Sequence, residues 1–84
     1  MGFSAAEAEF LLLRSRLMRM VGQVITERRL TQTAAARLFG VSQPRVSDVV
    51  RGRVERFTID SLVEMLAKAR VRLDLVALAS HKRR

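Results

Sequence analysis

Between Thr31 and Gly52 the chain reads TQTAAARLFGVSQPRVSDVVRG, and no other stretch limits the fold as tightly. Thr31 is a helix-capping residue type and opens an alanine-rich run that stops at Gly40. A capping hydroxyl accepts from the free N–H groups of a first helical turn. A glycine takes the left-handed backbone that closes a last turn. Ser42 then caps again, with Pro44 in the first turn, where a missing N–H does no harm. The spacing predicts a second helix to about Arg51, ended by Gly52. Thr31–Gly52 therefore reads as two short helices folded about a glycine.

Two helices joined this way need a small residue in the first, so that the second can cross it, and apolar residues around the turn. Ala36 stands four residues before Gly40 in the place for the small residue. Ala35, Phe39 and Val41 are the apolar positions about the turn, and Val46, Val49 and Val50 give the second helix a face to bury. The whole pattern, with both caps, is that of a helix-turn-helix over residues 31–52.

The outward positions of the second helix then acquire a role. A DNA major groove, about 12 Å wide, admits one helix led by its N-terminal turns. Those turns carry Gln43, Pro44, Arg45, Ser47 and Asp48, the expected base-contacting set. Glutamine pairs with adenine, arginine with guanine, and aspartate accepts from cytosine. Asp48 has an equal alternative, a salt bridge to Arg45 or Arg51 on its own helix. Gln32 and Ser42, at helix N-termini, and Arg51, Arg53 and Arg56, after the second helix, are expected on phosphates. A solvated basic loop is the plainer reading of those arginines.

Charge points the same way. The 84 residues hold 16 Lys+Arg against 8 Asp+Glu, a net +8, and all but Lys68 and Lys82 of the cations are arginine. Arginine offers a planar fork that suits phosphate and guanine edges. A small, strongly basic domain suggests a polyanionic partner.

The flanks read as further helices. Ser4 and Glu7 form a capping box ahead of a helix that runs to about Arg28. Phe10, Leu13, Leu17, Met20, Val21 and Val24 recur on it at core spacing. Leu11, Leu12, Met18 and Ile25 widen that stripe, which suits either a broad buried face or contact with a second subunit. Arg53–Phe57 is expected as a basic loop, and Thr58 caps a helix from Ile59 to about Ala69 with Ile59, Leu62, Val63 and Leu66 inward. Over 70–78 apolar and polar residues alternate, which suggests a strand, with a continued helix as the competitor. Residues 80–84 are expected as a disordered tail.

The expected fold is thus mainly all-α. It is a compact single domain of packed helices over residues 1–84, with 70–79 as a dimerisation segment whose short strand over 70–78 would pair across a dimer. At this size only about 60–65% of the unfolded surface is buried, so pairing with a second copy would help. A strand with no partner in its own chain invites that pairing.

Other functions fit poorly. There is no cysteine for a disulfide framework or a thiolate metal site, and no apolar run approaches a membrane span. The N-terminus is acidic where a signal peptide would be basic, so the expected location is cytoplasmic. The single histidine, His81, lies in the tail, and no carboxylate pair has a useful spacing, so no enzyme, catalytic residue, metal or cofactor is expected. RNA recognition would want an aromatic platform, and the chain has four Phe and no Tyr or Trp. A helical module binding an acidic protein remains the alternative class.

At ERRLTQTAAARLFGVSQPRVSDVVRGRVERFTIDSLVEMLAKA the sequence resembles the Cro/repressor-like (XRE) helix-turn-helix family, and most closely its small antitoxin-type (HigA-like) regulators. The pieces that carry the likeness are Leu30-Thr31-Gln32, Gly40 to Ser47, Arg51-Gly52 and Phe57-Thr58. The resemblance implies an all-α bundle of about five helices, a homodimer on an inverted-repeat operator in double-stranded DNA, repression of transcription, and a cognate toxin as a further partner. A regulator without a toxin is the other branch. By that likeness Gln43, Pro44, Ser47 and Asp48 would face bases. Gln32, Ser42, Arg51 and Arg53 would face phosphates, and Arg45 could serve either. Arg29 departs from the family, which often has Gly or Asn there.

Overall fold

A computed structural model describes residue 2 and residues 4–73. Four α-helices follow one another: α1 Ala5–Glu27, α2 Gln32–Phe39, α3 Gln43–Val50 and α4 Ile59–Lys68. A single 3-10 turn, Val54–Arg56, lies between α3 and α4. Among the described residues there is no strand, and the architecture is an all-α helix-turn-helix bundle. Residues 71–73 have no regular structure, and the rest of the expected strand and the tail lie outside the described residues.

Every α-helix starts on a hydroxyl. Ser4 accepts from Glu7 N–H, Thr31 from Ala34, Ser42 from Arg45 and Thr58 from Ser61. Ser4–Glu7 and Thr58–Ser61 close reciprocal capping boxes. Every α-helix also ends through one left-handed residue, at Arg29, Gly40, Gly52 and Arg70. The next N–H then reaches back to the last turn: Leu30 to Ile25 O, Val41 to Ala36 O, Arg53 to Asp48 O and Val71 to Leu66 O. This is the Schellman closure, and its accompanying apolar contact is present where Leu30, Val41 and Val71 pack on the core.

The core joins all four helices. Leu17, Met18, Val21 and Val24 of α1 meet Ala35, Ala36 and Phe39 of α2, Val46 and Val49 of α3, and Leu62, Met65 and Leu66 of α4, with Phe57 and Ala69. Arg14 donates to the Phe57 carbonyl at 3.4 Å and Arg28 to the Ala69 carbonyl at 3.0 Å. These two bonds clasp both ends of α4, so it runs alongside α1 in the same direction.

Four apolar expectations are corrected. Phe10 and Leu13 were expected in the core, yet they are 56% and 44% exposed, while Met18, one of the residues that widen the stripe, is buried. At 1.5 Å per residue, α1 is about 34 Å long and α4 about 15 Å, so α4 is too short to cover the first turns of α1. Val50 is exposed because Val46 and Val49 alone face the core, and a 100° step carries Val50 to the flank. Val63 is likewise exposed, while Leu62, Met65, Leu66 and Ala69 form the buried i, i+3, i+4, i+7 stripe of α4. The stretch expected as the Arg53–Phe57 loop contains the 3-10 turn.

Candidate nucleic-acid interface

α3 is held from behind. Val46 is fully buried and Val49 nearly so, and α2 crosses behind the helix through Ala36 and Phe39. Gly40 sets the crossing. Its φ of 70° is a region in which L side chains are strained, and a Cβ there would stand 2.8 Å from Lys68 Nζ.

With that face inward, Gln43, Pro44 and Arg51 project into solvent and Ser47 lies half-buried among them. Ser42 precedes them, its Oγ accepting from Arg45 N–H at 3.4 Å. The outer surface of α3 is thus led by an amide, a proline ring and a hydroxyl, and closed by a guanidinium. Gln32 is exposed at the first position of α2. The N-terminal N–H groups of a helix suit an anion, so both helix starts are suited to phosphate.

Arg45 and Asp48 turn the other way, toward the 3-10 turn. Arg45 Nη1 donates to the Arg56 carbonyl at 2.7 Å, and its guanidinium lies 4.1 Å from the centroid of the Phe57 ring. Arg56 Nη1 donates to Asp48 Oδ1 at 3.4 Å, the one ion pair among the described residues. Asp48 therefore pairs with Arg56, and not with Arg45 or Arg51. The pair is modest in strength, since Arg56 is half exposed and an exposed pair contributes only about 0–1 kcal/mol. Its effect is geometric: with the Arg45 stack, it ties the 3-10 turn to α3.

The tie places the arginines. Arg51 follows the last turn of α3, Arg53 is half-buried beyond Gly52, and Arg56 lies over Asp48. Of the expected base-contacting residues, Gln43, Pro44 and Ser47 thus share the outer surface of α3, while Arg45 and Asp48 are engaged with the 3-10 turn and Phe57. The partnership of Arg45 with Phe57 had no signal in the sequence. The two are twelve residues apart and share no period, and only the chain reversal after Gly52 brings them together.

Among the described residues no three His, Cys, Asp or Glu side chains are grouped to hold a metal ion, and no helix is long and apolar enough to cross a membrane. No curated protein and no solved structure matches the chain significantly. A family model described as a helix-turn-helix domain matches residues 2–77. That match takes in all four helices, and the chain belongs to the helix-turn-helix domain family, whose fold is one of DNA binding.

Proposed function

We propose that the chain is a sequence-specific transcriptional repressor that acts without enzymatic activity. It works in the cytoplasm as a homodimer on an inverted-repeat operator. The observation that carries this reading is the outer face of α3: Gln43 and Pro44 are exposed and Ser47 half-exposed, with Arg51, Arg53 and Arg56 following in the chain. Gln43 and Ser47 read base edges, and Pro44 packs on them. Arg51 and Arg53 hold the backbone, with Gln32 and Ser42 at the helix starts. Arg45 braces the 3-10 turn through Phe57, and so sets the position of Arg53 and Arg56. Asp48 holds Arg56 until a phosphate takes its place, and is then free to accept from a cytosine.

Two such helices in a two-fold dimer would enter successive major grooves about 34 Å apart. The antitoxin role rests on the likeness carried by Gly40 to Ser47 to the XRE-type antitoxins. Copurification with a toxin encoded beside it tests that part alone. The DNA-binding reading is tested by selecting bound sites from random duplex DNA with the full chain. The expected result is an enriched inverted repeat whose half-sites are one helical turn apart. Binding that depends on salt but enriches no sequence would instead favour a helical module for an acidic protein partner.

A further inference from the structure

The first three turns of α1 form a second exposed surface. Phe10, Leu12 and Leu13 are 56%, 46% and 44% exposed, although Phe10 and Leu13 continue the line of the buried Leu17. At 100° per residue, Ala6, Phe10, Leu13 and Leu17 make a seam of 4-3-4 spacing, that of paired helices. Charges flank the seam in a fixed order. Glu7 and Arg14 lie on one side, Glu9 and Arg16 on the other. On each side the acid comes first and the base follows two turns later.

All four charges meet an opposite one only when two copies run head to tail. In an antiparallel pair each flank of the seam meets the same flank of the other copy, so Glu9 would face Arg16 of the partner subunit. Symmetry repeats the contact, with Arg16 facing the partner's Glu9. Phe10 then packs against Leu13 of the partner subunit, and the small Ala6 comes level with the partner's Leu17, where the bundle begins. A parallel pair would set Glu9 against the partner's Arg14 and leave Arg16 without an acid. Glu9 and Arg16 are both exposed, and neither has an ion-pair partner among the described residues.

We propose that the N-terminal turns of α1 form a two-fold, antiparallel contact with a second copy of the chain. This deepens the dimeric part of the proposed function and does not depend on DNA binding. Sedimentation of the full chain tests it, alongside Phe10→Glu, Glu9→Arg, Arg16→Glu and the double variant Glu9→Arg/Arg16→Glu. Thermal unfolding followed by circular dichroism checks that each variant folds. The parent should be a dimer at tens of micromolar, and Phe10→Glu a monomer. Each single charge reversal places two like-charged pairs in the contact and should weaken the dimer about tenfold. The double variant restores both pairs and should dimerise within a few-fold of the parent. A monomeric parent would overturn the proposal. So would a Phe10→Glu dimer as tight as the parent's, or a double variant no tighter than the singles. Binding to duplex DNA, measured on the same proteins, separates the two readings: a parent that dimerises through α1 yet ignores DNA refutes only the proposed function.

Discussion

α2 and α3 have eight residues each, and both ends of each are closed by a cap and a left-handed glycine or its equivalent turn. α1 has 23, and its first turns project past the bundle. Helices shorter than about 12–15 residues are marginal alone in water, so α2 and α3 exist only through their caps and their buried faces. α1 is long enough to continue beyond its support, with the Ser4–Glu7 box holding its start. The difference is one of where geometry comes from. The direction of the α3 outer face is inherited from the core behind it. The α1 overhang owes its direction to the helix alone. A surface that must meet base edges in register needs the first kind of support.

The sharpest way to break this contrast is at Phe39, which ties α2 and α3 to the core at 1% exposure. Phe39→Ala should cost about 3–5 kcal/mol in urea unfolding, a large share of the stability of a small domain. Gly40→Val forces a β-branched residue into the left-handed region and should cost about 1–3 kcal/mol, seen as a lowered melting temperature. At Arg29, with φ of 53°, the sign reverses. Arg29→Gly relieves a left-handed arginine and should gain about 0.5–1 kcal/mol after the added freedom of the unfolded chain is counted. Phe10→Ala should change the stability of the dilute monomer by less than about 0.5 kcal/mol, because the ring is more than half exposed. A Phe10 effect as large as that at Phe39 would mean the overhang is packed.

Much of the fold was legible because helix starts have local chemistry. Ser4, Thr31, Ser42 and Thr58 each cap a helix in the structure as their residue type predicts. Gly40 and Gly52 likewise announce their turns. Arg29 and Arg70 do not, since arginine has no preference for positive φ. Closure imposes it there, by drawing Leu30 and Val71 back onto the core. Periodicity located the inward face of α1 but not the length of its neighbour, which is why Phe10 and Leu13 fall outside. The same limit explains Val50 and Val63 at the edges of their stripes. At the candidate site, helical spacing puts Gln43, Pro44 and Ser47 together. It cannot foresee the turn of Arg45 onto Phe57 or of Asp48 toward Arg56, because both partners come from a later part of the chain.

The claim that α3 reads sequence while its arginine surround holds the duplex is tested most directly by one comparative titration. Gln43→Ala and Arg53→Ala are titrated against the selected site and against random duplex DNA over a range of salt. Gln43→Ala should weaken the selected site by about 1–3 kcal/mol, relax the preference at one base pair, and leave random DNA unchanged. Arg53→Ala should weaken every sequence alike and flatten the salt slope by about one. Equal losses from both variants on random DNA would contradict the division of labour between the helix and its surround.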